Sequence, residues 1–218
     1  MQVPGQRFVR TLTPGVRWLL GTWTLLWLLA LVMRLLRLAD ISTWLLLTGT
    51  PVVHGQVWRL ASYALLPQSL LDLVLSAILL VMFGGLLERV WTRGDFLLFA
   101  LVCAIGAGLV KIALQPGATR ALLGPGPVVF GFTVACARLF PHQMMMLPPS
   151  IEVRMRQLVI LLAAASFFAT AYMSGWVAAI IMVSGGGFGL AYLWLRSGWA
   201  RPGSARPAVS QRINKLEL

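Results

Sequence analysis

Charge is what this sequence has least of. Only 11% of its residues are Asp, Glu, Lys or Arg, against about a quarter in an ordinary soluble domain. With 59% hydrophobic residues and a mean hydropathy of +0.84, that scarcity excludes a soluble globular chain and points to a membrane protein. Cysteine is nearly as sparse. Cys103 and Cys136 each lie inside an apolar run with no CxxC neighbour, which excludes a disulfide framework or thiolate metal site and leaves them as small packing residues. The only histidines are His54 and His142, and no HExxH motif is present, so neither metal nor cofactor is expected. Of six acidic residues, Asp72 alone falls within an apolar run, one short of the pair an aspartyl mechanism needs. Lysine is rare beside arginine, a bias that hints at a GC-rich bacterial genome and hence a bacterial inner membrane.

What is present is a series of long apolar runs. A spanning helix needs about 20 mainly apolar residues. Runs of that kind lie at about Val16–Leu36, Leu70–Leu87 and Phe96–Leu114. A shorter one covers about Pro127–Phe140, and Leu158–Leu195 is almost continuously apolar. The last run suits two spans divided at Ser174-Gly175, the turn signal near its middle. The expected fold is therefore an all-α polytopic membrane protein of six helices with a short central fourth span. Its membrane domain is residues 16–195, between an N-terminal segment 1–15 and a basic tail 196–218. The first run has no small-residue cleavage site behind it and reads as a span. The stretch between the first two spans is broken by Gly, Pro and polar residues and reads as interfacial or re-entrant.

The net charge of +12 sits mostly between the apolar runs, where it orients the chain instead of binding nucleic acid. With both ends on one side, that side holds 13 of the 18 basic residues and the other holds 5, which favours both termini in the cytoplasm. The tail's cations suit anionic lipid.

The fourth run opens at GPGPVVFGF, from Gly124. Fourteen residues of helix rise about 21 Å, roughly 9 Å short of the hydrocarbon thickness, so this turn falls inside the membrane. On the sixth span Met182 falls at a similar depth, and so does Ser76 on the second, one helical turn after Asp72. Gly126, Met182, Asp72 and Ser76 are thus expected around one cavity beneath an open mouth.

Several motifs in order resemble the rhomboid family of intramembrane serine proteases. Trp58-Arg59, Phe83-Gly84 and Leu87-Glu88-Arg89 match family positions. GPGPVVFG stands in the place of the family's G-A-S-G-A-V-F-G, and SGGGFGLAY in that of its H-x-G-G-x-x-F-G-x-x-Y. The resemblance covers about Leu12 to Leu195 and implies a six-helix rhomboid-like bundle. Its departures are decisive for function. The family's nucleophilic serine corresponds to Gly126, its base to Met182, and its H-x-x-x-N pair to Asp72 and Ser76. Nucleophilic catalysis needs a hydroxyl within reach of a base, and both members of the dyad are missing.

The resemblance therefore implies a pseudoprotease, not an enzyme. Inactive relatives such as derlins bind membrane clients, so the implied partner is a transmembrane helix of another membrane protein. The alternatives are a structural subunit of a larger membrane complex and an active protease with a non-standard pair such as Ser76 and Lys111. Asp72 could equally pair with Arg59. Gly185 and Gly189, spaced GxxxG, are expected to pack the sixth span on the fourth near Gly131. Trp58 and Arg59 read as architectural, and Glu88 and Arg89 as an inner-face ion pair or solvated charges. Met144, Met145 and Met146 read as interfacial packing, and Trp91, Trp176 and Trp194 as an interfacial belt.

Overall fold

A computed structural model of the chain describes residues 13–36, 45–47, 56–116, 124–141, 144–147 and 151–199. Helix α1 is Pro14–Leu35, α2 is Leu70–Val90, α3 is Arg93–Leu114, α4 is Gly126–Leu139, α5 is Met155–Ser174 and α6 is Trp176–Trp199. A short helical segment, Arg59–Ser62 followed by the 3₁₀ turn Tyr63–Leu65, precedes α2. Helices α1, α2, α3, α5 and α6 are long and apolar enough to cross a membrane, whereas α4 has 14 residues. Among the described residues the count is thus five helices of spanning length and one short apolar helix, not six full spans. The all-helical expectation also needs amendment. Strands β1, Met144–Leu147, and β2, Ile151–Arg154, pair antiparallel between α4 and α5, with Met146 opposite Glu152.

The break between α5 and α6 falls at Gly175, whose φ of +92° is the left-handed region that favours glycine. Near the middle of α2 the residues Leu80–Gly84 form a π turn, which widens the helix where Phe83 and Gly84 enter the core. The short helix α4 is buried along nearly its whole length and α6 packs most extensively against α4 and α3. By contrast α1 and α5 expose most of their apolar side chains, Ile160, Leu161 and Phe168 among them, and these faces meet the bilayer. Phe132 of α4 stacks on Phe96 of α3 at 4.7 Å between centroids, with Phe99 at 5.6 Å. An apolar core gives no net hydrophobic gain against lipid tails, so such close packing carries the association.

Glycine supplies the closeness. A Cβ on Gly185 would overlap the Pro127 carbonyl oxygen, and one on Gly106 would overlap the Phe188 ring. On Gly131 a Cβ would lie 2.5 Å from the Cys103 sulfur, and on Gly189 it would lie 2.7 Å from Phe99. Gly185 therefore seats α6 on α4, while Gly189, one turn later, faces α3.

Candidate functional site

The turn that opens α4 is built from two directions. Gly124 has φ +110°, and its N–H donates to the Tyr63 carbonyl at 3.0 Å, tying the turn to the segment before α2. A Cβ at Gly124 would sit 3.0 Å from the Asp72 carboxylate, so this glycine is required by conformation and by space together. Pro125 then caps the helix, accepting the Val128 and Val129 N–H groups at 3.0 Å each, and Pro127 occupies the first turn, where its missing N–H costs nothing. Tyr63 is fully buried and donates its hydroxyl to the Ala104 carbonyl at 2.9 Å. Burial pushes its phenol above the ordinary range, which keeps it a donor.

Asp72 and Ser76 come together as their spacing implies. The Ser76 hydroxyl donates to Asp72 at 3.4 Å, and the Gln68 N–H donates to the same carboxylate at 3.0 Å. The Ser69 hydroxyl in turn accepts the Asp72 N–H at 3.1 Å. This arrangement is a variant of the capping box, closing the N-terminus of α2 on itself. Arg59 is engaged elsewhere, with the Leu46 carbonyl at 2.9 Å and Gln56 at 2.7 Å, which anchors the buried guanidinium and fits an architectural role. Trp58 beside it is exposed.

Gly126 and Met182 are not brought into contact. Among the described residues nothing lies within 4 Å of a Cβ built on Gly126. The Met182 thioether accepts the Thr170 hydroxyl of α5 at 3.2 Å, turned toward that helix. It is Gly185, not Met182, that touches the α4 turn, because it lies nearly one helical turn further along α6. Ser184 is spent on the Ile181 carbonyl at 2.6 Å, and buried Lys111 on Gln115 at the end of its own helix. His54 and His142 lie outside the described residues, as do most of the tail's cations.

Glu88 is neither solvated nor paired with Arg89, which is exposed. It is buried, and its carboxylate accepts the Gly15 N–H at 2.6 Å and the Val16 N–H at 2.9 Å. Those are the two donors that an N-cap side chain ordinarily satisfies, and the Thr13 hydroxyl in that place has no partner among the described residues. The anion also opposes the positive end of the α1 dipole. No local pattern foretells a cap supplied from 73 residues away. Arg196 and Asp95, joined at 2.7 Å, likewise fasten the end of α6 to the start of α3. The Thr92-x-x-Asp95 spacing was a readable capping signal, and Thr92 does accept the Asp95 N–H at 3.2 Å.

The family model described as Eukaryotic integral membrane protein (DUF1751) matches residues 17–197, and the chain belongs to that family. No curated protein matches it. The family corrects one expectation outright: a eukaryotic family is at odds with a bacterial inner membrane. Arginine-for-lysine usage reports coding composition, and either cation serves at a bilayer surface, so the bias carried no information about which membrane. The integral-membrane character stands.

Proposed function

We propose that this eukaryotic integral membrane protein is a rhomboid-like pseudoprotease that binds a transmembrane segment of a client without cleaving it. In this reading the short helix α4 serves as the fourth of six spans, and the space at its mouth receives part of the client. The observation that carries the reading is that, among the described residues, nothing lies within 4 Å of a Cβ built on Gly126. A position that the resemblance aligns with a protease nucleophile lacks a side chain, yet the described residues leave room for one there. The fixed turn beneath it, held by Tyr63 and set against Asp72, gives the space a rigid floor. Chemistry has no agent there, because glycine offers no nucleophile and the Met182 thioether takes no proton at neutral pH.

Photocrosslinking in native membranes tests the binding half of the proposal. A benzoylphenylalanine at Gly126 or Ser76 is expected to capture one membrane protein, and the same probe at lipid-facing Leu161 or Phe168 is expected to capture none. Capture from Leu161 or Phe168 alone would instead identify a structural subunit that meets its complex through outer faces.

A further inference from the structure

Six exposed arginines stand at one end of the helix bundle: Arg17, Arg89, Arg93, Arg138, Arg154 and Arg156. Contacts between helices put them together there. Glu88 caps α1, so the start of α1 lies beside the end of α2, and α3 follows α2 after a short turn. The Arg196–Asp95 bridge brings the end of α6 to the same place. Helix α4 starts beside Asp72, at the opposite end of α2, and so finishes at this one. Helix α5 runs into α6 through Gly175, which places its start here too. Each arginine is either the N-cap residue or within the first or last four residues of its helix.

The chain has too few acids to neutralise this end. Among the described residues none of the six guanidinium groups has a hydrogen-bond or ion-pair partner. Glu88 is taken by the Gly15 and Val16 N–H groups, Asp95 by Arg196, and Asp72 lies at the opposite end. Asp40, Glu152 and Glu217 are the acidic residues that remain. Even if all three reached this end, six cations would face three anions. Arginine keeps its charge at any physiological pH, so the excess is permanent.

We propose that this ring of helix-end arginines gathers anionic phospholipids from the leaflet at that end of the bundle. Position decides for lipid over a soluble acidic partner. The ends of spanning helices lie at the headgroup level, and a long cationic side chain there reaches the phosphate plane while its stem stays on apolar surface. Trp18, next to Arg17 and 73% exposed, suits the same interface. Guanidinium pairs with phosphate through parallel hydrogen bonds. The charge bias expects this end in the cytoplasm, whose leaflet carries the anionic lipid. The six arginines come from five different helices, so they form a perimeter and not a pocket. Lipids are therefore ranked by charge, not by headgroup shape. The inference does not depend on what the space at Gly126 receives.

The full chain is reconstituted in phosphatidylcholine vesicles holding a trace of spin-labelled phosphatidylserine, phosphatidylglycerol or phosphatidylcholine. Electron paramagnetic resonance then reads the fraction of each label immobilised against the protein. A headgroup beside one cation gains about fivefold in occupancy, diluted over both leaflets to about twofold for the whole perimeter. Phosphatidylserine and phosphatidylglycerol should thus be favoured equally over phosphatidylcholine at low salt. At 1 M NaCl, where screening acts within about 3 Å, the preference should fall close to one. Combining Arg89→Gln, Arg93→Gln, Arg138→Gln and Arg156→Gln should remove at least about half of the excess. The same four positions changed to lysine should keep it. Protection of buried Cys103 and Cys136 from maleimide shows that a variant is folded. The salt series on the parent decides the matter if the glutamine variant is not. Equal retention of all three lipids by the parent at low salt would overturn the proposal and leave these cations to an acidic protein partner. So would a preference that survives 1 M NaCl or is untouched in the folded glutamine variant. Retention of phosphatidylserine well above phosphatidylglycerol would overturn the perimeter in favour of a shaped pocket.

Discussion

Replacing Glu88 by alanine removes the acceptor of two buried N–H groups, on Gly15 and Val16. A hydrogen bond to a charged group contributes about 1.5–3 kcal/mol. The Thr13 hydroxyl, buried at the N-cap position and without a partner among the described residues, can rotate to accept one of the orphaned donors. The net loss is then between one and two bonds, about 2–4 kcal/mol. Glu88→Gln keeps an oxygen acceptor but forfeits the charge and its interaction with the helix dipole, for about 1–2 kcal/mol. In a chain of this size each kcal/mol moves the midpoint by about 2–4 °C. Glu88→Ala is thus expected to unfold roughly 5–15 °C below the parent, and Glu88→Gln a few degrees below. Cys103 and Cys136 are free and fully buried, so a fluorogenic maleimide reports unfolding directly in detergent. Thr13→Ala should be silent in the parent and cost about a further 1 kcal/mol beside Glu88→Ala. A Glu88→Ala midpoint within one degree of the parent, or additive behaviour of the pair, would refute the shared-cap argument.

The same assay checks four more substitutions. Gly185→Leu drives a side chain into the Pro127 backbone and should leave no cooperative transition, or one at least ~10 °C lower, since the overlap is with main chain and cannot be relieved by a rotamer. Gly126→Ala meets nothing within 4 Å among the described residues and should shift the midpoint by under two degrees, whereas Gly124→Ala, strained by φ +110° and crowded by Asp72, should cost about 1–3 kcal/mol of stability. Asp95→Asn removes the Arg196 bridge, but the pair is partly exposed, with side chains at 24% and 38% accessibility. The screened loss should stay below about 1 kcal/mol, and a larger one would show that the α6 end depends on this pair.

The membrane spans were legible because each is a run of apolar residues long enough to cross, and one-dimensional hydropathy suffices to find them. The α5–α6 break was legible too, since Ser174-Gly175 is the turn signal in the middle of that run. Helix ends were read short: α3 begins at Arg93 and α5 at Met155, because charged and polar residues near the surface continue the helix beyond its apolar part. The strand pair Met144–Leu147 and Ile151–Arg154 was missed because MMML offers no alternation and its partner strand is defined only by pairing. At the site, the proximity of Asp72 and Ser76 followed from helical spacing, and the special conformation at Gly124 from its run of breakers. Glu88 was not legible as a cap, since Gly15 and Val16 acquire their need for an acceptor only once α1 packs beside α2. Nor was the side-chain direction of Met182, which depends on Thr170 of a neighbouring helix.

Labelling with a fluorophosphonate tests the absence of a catalytic serine most directly. The full chain in native membranes is treated beside an active rhomboid protease, and the modified residues are mapped by mass spectrometry. The proposed pseudoprotease reading predicts labelling of the active protease and none of this chain. Stoichiometric modification of one serine, Ser76 above all, would contradict it and identify a working nucleophile.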